Sequence, residues 1–298
     1  MRSECLRAAL VALCLLSAAA PTPLPAPLSF WTLQEATGSP RIGDAFGATA
    51  PATLLDGNVT APIARAADGL FGAYCARFDG RGGANNSRRL AVSRAAAPAL
   101  TVALGGAAAT VSLVAWVRGP AGGWGGSALV AGVWNEFAAA RQYALFTALG
   151  ACASAPVYHG GLAGHASNCG GPTPGQRYCE TRACDPRRLP LRAWHCLAMT
   201  YDGSYIRALV NGSALPNGDA QPFLYPGGLY SPEAAGRQGA EFALGANLIN
   251  ASVGSPPLWS NRFEGDVGGL AVYAEGLSEE QLAGVCARAP GCGRGGGG

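Results

Sequence analysis

Charge is scarce in these 298 residues. Lys, Arg, Asp and Glu together make up 13% of the chain, about half the roughly 25% of an average soluble domain. The formal net charge is +3, and leaving out Arg2, Glu4 and Arg7 of residues 1–19 lowers it to +2. Polyphosphate partners are held by an excess of cations that displaces counterions, so a near-neutral chain excludes nucleic acid. Arg88-Arg89 and Arg187-Arg188 are too short to alter this and read as solvated loop charges. Histidine is scarce as well, with only His159, His165 and His195. No Gly-x-Ser-x-Gly elbow accompanies them, which leaves Ser-His-Asp chemistry without support. A phosphate loop, Gly-x-x-x-x-Gly-Lys-Ser/Thr, is missing too.

Apolar runs of membrane-spanning length are also lacking. Ala8–Leu16 falls short of the roughly 20 residues a span requires. With Arg2 and Arg7 before it and Ser17-Ala18-Ala19-Ala20 after it, it has the pattern of a secretory signal over 1–19. Residues 20–27, including the run PTPLPAP, then read as a stiff linker. The 23 uncharged residues between Arg94 and Arg118 are broken by Pro98 and Gly105-Gly106. They predict two strands and a turn. The expectation is a secreted, extracellular protein with no membrane span once the signal is removed.

Glycine and cysteine are plentiful. The 44 glycines, about twice the usual share, disfavour helices and suit turns, which points to an all-β chain. Of ten cysteines, Cys5 and Cys14 lie in the signal. Cys75, Cys152, Cys169, Cys179, Cys184, Cys196, Cys286 and Cys292 remain, an even set that implies disulfides on an oxidising route. Eight cysteines allow about a hundred pairings; the one expected here joins Cys286 to Cys292 across Ala289-Pro290-Gly291. A zinc site built from His159, His165, Cys169, Cys179 and Cys184 matches no strong spacing. Asn58, Asn85, Asn211 and Asn250 each begin an Asn-x-Ser/Thr sequon and must be exposed if glycosylated.

Period-2 alternation marks the strands. In 194–215 (WHCLAMTYDGSYIRALVNGSAL) Leu197, Met199 and Tyr201 share one face, and Ile206, Ala208 and Val210 share another. Asp202-Gly203 and Asn211-Gly212 supply hairpin turns. Val111–Arg118 alternates in the same way, with Val111, Leu113, Ala115 and Val117 on one side. Ala128–Val133 and Tyr143–Leu149 form a further pair, and Gly150–Ala193 is an irregular, cysteine-bearing insert. Ser278-Glu279-Glu280-Gln281 has the pattern of a capping box. Gly-rich residues 287–298 read as a tail.

These stretches resemble laminin G-like, concanavalin A-like jelly-roll domains. Trp194 to Gly203 follows that family's Trp-x-His-Val-Ala-Val-Thr-Tyr-Asp-Gly, except that Cys196 stands where the family usually has His. Trp31, Leu33, Glu35, Gly38 and Asp44 match its opening strand, and Phe71-Gly72 with Arg77-Phe78-Asp79-Gly80 its next strand and turn. Val111–Arg118, Phe242–Ala246 and Phe263–Tyr273 follow in order, and Leu277-Ser278-Glu279-Glu280-Gln281 stands where the family often ends in Leu-Ser-x-Glu-Glu-Ile. The resemblance covers 28–286 as one domain and implies a β-sandwich of two antiparallel sheets.

It also implies candidate sites. Glucanases on this fold carry Glu-x-Asp-x-x-Glu on one strand, with carboxyls roughly 5–5.5 Å apart for a retaining mechanism. Here Glu264 and Asp266 share a face, but Gly269 replaces the third acid, and this weighs against an enzyme without deciding the matter. A structural calcium would need six to eight oxygens; Asp79 and Asp266 are the available ligands, while Gly268-Gly269 replaces the family's Asp-Glu pair. The resemblance implies a lectin-like module that holds a glycan on its concave face by aromatic stacking and polar contacts. Trp116, Trp124, Trp134, Tyr143 and Tyr158 are the candidate platforms, and Asn135, Arg141, Gln142 and His165 the polar partners. An adhesion or matrix domain with an extracellular protein partner is the alternative. A glycoside hydrolase or lyase with non-standard residues is a third.

Overall fold

The computed structural model describes residues 23–35, 39, 41–45, 54–56, 63–80, 89–101, 103–121, 127–135, 141–147, 162–166, 182–185, 189–214, 222–231, 239–248 and 259–289. The signal over 1–19, Cys152, Cys169, Cys179, Cys292, Trp124, Tyr158 and the sequons at Asn58, Asn85 and Asn250 lie outside the described residues.

The strands in chain order are β1 (Ser29–Trp31), β2 (Arg41–Ile42), β3 (Leu54–Asp56), β4 (Ala64–Ala67), β5 (Tyr74–Asp79), β6 (Leu90–Val92), β7 (Val111–Arg118), β8 (Ala128–Val133) and β9 (Tyr143–Thr147). They continue as β10 (Leu162–Ala166), β11 (Arg182–Asp185), β12 (Trp194–Tyr201), β13 (Tyr205–Val210), β14 (Phe223–Leu224), β15 (Phe242–Leu244), β16 (Asn247–Leu248), β17 (Trp259–Ser260) and β18 (Glu264–Tyr273). One helix, α1 (Glu279–Cys286), closes the described chain. One sheet runs β14-β13-β12-β7-β18-β5-β4, with β1 also on β18; the other runs β11-β10-β9-β8-β15-β6-β3-β2. All pairings are antiparallel.

The alternation read from the sequence decides which side chains meet between the sheets. Val111, Leu113, Ala115 and Val117 of β7, Leu197, Met199 and Tyr201 of β12, and Ile206, Ala208 and Val210 of β13 all enter the central core. Phe242 and Leu244 of β15 and Tyr143 and Leu145 of β9 face them from the second sheet. Turn chemistry fixes the β12–β13 register. Gly203 adopts φ +93°, and Asp202 Oδ1 accepts from the Ser204 and Tyr205 amides. Asn211 and Gly212 take φ +52° and +79°, the left-handed pair a tight hairpin needs.

The outer face of the first sheet is covered too. Val114, Trp116, Cys196, Ala198, Leu209, Ala271 and Tyr273 pack against Leu277, Leu282 and Val285 from α1 and its entry. Ser278 caps α1: its side chain accepts from the Gln281 amide, while Gln281 returns the bond to the Ser278 amide. Cys196 and Cys286 form a disulfide that fastens α1 to β12. That explains why the family-like strand carries Cys at 196, and it replaces the expected Cys286–Cys292 bond.

Other expectations change as well. Within the Pro-rich stretch, Leu24 packs into the outer cluster and the Pro23 carbonyl accepts from Gln281. Residues 287–289 likewise belong to the packed body, Ala289 being buried there. Among the described residues between Arg94 and Arg118 lies one strand, β7, preceded by a short 3-10 turn at Pro98–Leu100, because Pro98 fixes φ and starts a turn. The insert 150–193 adds β10 and β11 to the edge of the second sheet. Cys75 is a free, buried thiol, not a disulfide partner. Burial and then the nearby Asp266 carboxylate push its pKa up to about 11, so it stays protonated at neutral pH.

Candidate ligand-binding site

β5, β7 and β18 are neighbours, and the last residues of β5 and β7 lie beside the first residues of β18. The register pairs Glu264 with Asp79, and Asp266 with both Arg77 and Arg118. On each strand the next apolar residue turns inward, so period 2 sends these charged side chains to the outer face together. They surround a cavity of about 470 Å³. Arg192, from the turn before β12, also lines it, and Pro120 and Ala121 form an apolar rim.

Asp266 is the pivot. Its carboxylate accepts from Arg77 Nε at 2.7 Å and Nη2 at 3.1 Å. Arg118 donates to it through Nε at 3.0 Å and Nη2 at 2.9 Å. The Asp266 side chain is only 8% exposed, so losing either guanidinium would leave a poorly solvated charge. The bond to Asp266 makes the Arg77 guanidinium an even weaker acid than usual. Arg118 also lies over the Trp194 ring at 4.7 Å, a cation–π contact that fixes its plane. Two guanidiniums are thus held in place with N–H groups left over, since each has five. Glu264 and Arg192 are exposed and make no ion pair among the described residues. Arg192 holds a left-handed φ of +62°, a strained backbone for a residue with a Cβ.

This use of Asp266 differs from service as one of the oxygen ligands that a calcium ion would need. Both of its oxygens accept from cations, and two guanidiniums repel a third. The glycine pair that stands for the family's Asp-Glu is also filled space. A Cβ on Gly269 would meet Phe71 at 2.5 Å, and one on Gly268 would meet Leu70 at 2.9 Å. Among the described residues no group of three or more His, Cys, Asp or Glu could hold a metal.

The expected aromatic platforms are distributed over three different places. Trp116 is buried on the outer face of the first sheet, edge-on to Phe30 and Phe71 at 5.9 and 5.0 Å. Tyr143 points into the central core and donates to the Leu100 carbonyl at 2.8 Å; burial raises its pKa. Trp134 lies on the outer face of the second sheet, edge-on to Phe146 at 5.5 Å with the Arg141 guanidinium 4.9 Å over its ring. Trp134, Asn135, Arg141 and Gln142 are all buried. Gln142 spends its amide on the Tyr230 carbonyl and Arg94. His165 is a β10 residue opposite Ala144 and Arg182. Trp116, Trp134 and Tyr143 are each buried, so none of these three rings offers an open stacking face. Sequence reading missed Arg77, Arg118 and Arg192. The available signal was a charge ending an otherwise apolar alternation, as in Trp116–Val117–Arg118.

No protein-family model matches the chain, and no curated protein matches it. Solved structures do. The binding domain of botulinum neurotoxin DC, solved in complex with rat synaptotagmin II, aligns with a TM-score of 0.50 at 6% identity over 87% of this chain. The fold is a jelly-roll β-sandwich. This chain spans 51% of that toxin domain. Domain 4 of an extracellular arabinanase from Geobacillus stearothermophilus, solved with arabinotriose, has a TM-score of 0.48 and 16% identity, covering 88% of this chain and 99% of that one. A SAP-like pentraxin from Limulus polyphemus has a TM-score of 0.42 and 12% identity over 60% of this chain and 70% of its own. Such low identities establish shared architecture alone.

Proposed function

We propose that the chain is a non-catalytic carbohydrate-binding module of the laminin G-like kind, acting outside the cell, with its ligand in the cavity between β5, β7 and β18. The carrying observation is the cavity's matched set of three guanidiniums and three carboxylates. Sugar hydroxyls both donate and accept, so a charge-compensated lining suits a neutral polyol better than it suits an ion. Asp266 pre-positions two of the donors, which reduces the entropy lost on binding. Pro120 and Ala121 offer apolar surface to a ring face. The same use of Asp266 leaves it no free oxygen for general acid–base work. The disulfide and the signal-like N-terminus favour an oxidising, extracellular setting.

Screening the full chain on a glycan array and titrating the best ligand by calorimetry tests this. Glu264→Gln and Arg192→Ala should each weaken binding about tenfold or more, roughly one charge-assisted hydrogen bond. An empty array, or both variants binding like the native chain, would sink the proposal. A protein partner is the second reading, favoured by the structural likeness to a toxin domain captured with rat synaptotagmin II. That reading predicts an empty array and capture of an extracellular protein that Arg192→Ala abolishes.

A further inference from the structure

We propose that Asn211 carries an N-linked glycan, rooted at the same end of the first sheet as the cavity. Asn211 is exposed at the tip of the hairpin turn after β13. The turn is held on three sides. Gly212 is buried against α1, where a Cβ would meet Ala283 at 2.4 Å. The Ala214 amide donates to Glu279 Oε1 at 2.9 Å. Asn211 Oδ1 accepts from the Cys196 amide at 2.9 Å, and the Asn211 amide donates to the Cys196 carbonyl at 2.7 Å. A planar carboxamide whose oxygen is turned onto β12 directs its nitrogen the other way. Nδ2 donates to no group among the described residues.

That nitrogen is the atom that glycan transfer uses, and N-glycosylation leaves Oδ1 free to keep its bond to Cys196. In the step, Nδ2 forms a bond to the anomeric carbon of a polyisoprenyl-pyrophosphate-linked oligosaccharide. The anomeric C–O bond breaks, the lipid pyrophosphate leaves with the electron pair, and Nδ2 gives up one proton. Ser213, whose hydroxyl the sequon requires two residues on, is an exposed residue with that hydroxyl 3.4 Å from the Val210 carbonyl. The folded turn therefore accommodates the product without losing a contact.

The location follows from register. Val210 pairs with Leu197, and Arg118 with Trp194. Asn211 bonds to Cys196, which pairs with Trp116, so it sits two strands, roughly 10 Å, across the sheet from β7 and two residues short of Arg118 along it.

Mass spectrometry of the full chain made in cultured insect cells tests attachment directly and involves no ligand binding, so its failure and failure of the carbohydrate-binding reading are separate results. The peptide from Ala208 to Arg237 should gain an 18O-labelled aspartate at 211 after peptide N-glycosidase treatment in heavy water. A sample without the enzyme controls for spontaneous deamidation, to which Asn-Gly is prone. Ser213→Ala should abolish the label and Ser213→Thr should keep it. Recovering residue 211 as plain asparagine from the native chain, in cells and medium alike, would overturn the proposal, as would label that persists in Ser213→Ala.

Discussion

The outer face of the first sheet is used in two ways along the same strands. On β7, Val114 and Trp116 are sealed beneath α1 and the Phe30–Phe71 aromatic cluster, while Arg118, the next residue on that face, opens into the cavity. On β18, Ala271 and Tyr273 are sealed, while Glu264 and Asp266 line the cavity. Backbone geometry is common to both halves, so the difference lies in what covers them. Where α1 and the chain around Phe71 arrive, the face must be apolar, because a covered charge without a partner is expensive. Where they stop, charges survive, provided the deepest of them is paired. A ligand site on this fold is thus a gap in a lid, bordered by side chains that the lid would not have tolerated.

Breaking the lid should have the largest effect. Replacing Cys196 and Cys286 by Ser opens a loop of 90 residues, worth about 4–5 kcal/mol by chain entropy; a reduced melting temperature by calorimetry checks this. Trp116→Ala removes the ring beneath Phe30 and Phe71 and should cost about 3–5 kcal/mol in chemical denaturation. Asp266→Ala tests the open half. It leaves Arg118 without its carboxylate, but both guanidiniums can rehydrate, so about 2–3 kcal/mol is expected, below a fully buried pair. Sugar affinity should fall with it, because the donors lose their positions. An Asp266→Ala variant as stable as the native chain would erase the distinction between the two halves.

The smallest effect concerns pH. His195 donates through Nε2 to the Pro190 carbonyl at 2.8 Å, and its Nδ1 is buried without a partner. Burial lowers its pKa, only partly opposed by that bond. A depressed histidine binds fewer protons folded than unfolded. Its contribution is therefore complete above the ordinary value near 6.5 and is lost as pH falls toward the folded value. Denaturation midpoints should drop across that window, and His195→Asn should flatten the slope. Asp202 adds a second acid-side loss at lower pH. Its burial alone would raise its pKa, but Arg207 and the Tyr205 and Ser204 amides outweigh that and hold it below the ordinary carboxylate value.

The core was readable because alternation is local: Val111 to Val117 and Leu197 to Tyr201 declare their inward face whatever surrounds them. The same holds for the turn glycines and for the Ser278 capping box, where donor and acceptor are three residues apart. Aromatic residues were not readable as binding residues. Trp116, Trp134 and Tyr143 look alike in sequence, yet one lies under a lid, one on the opposite outer face and one between the sheets. An alternation pattern says which residues share a face, not which face stays open.

By itself, then, the sequence determined the strands, their inward faces and the jelly-roll class, since each depends on neighbours within a few residues. Only the tertiary structure decided the pairing of Cys196 with Cys286, the free state of Cys75 and the convergence of Arg77, Arg118 and Asp266. The disulfide spans 90 positions, and the bonds from Arg118 and Arg77 to Asp266 span 148 and 189. Contacts over such separations depend on strand order and register, which no local pattern encodes.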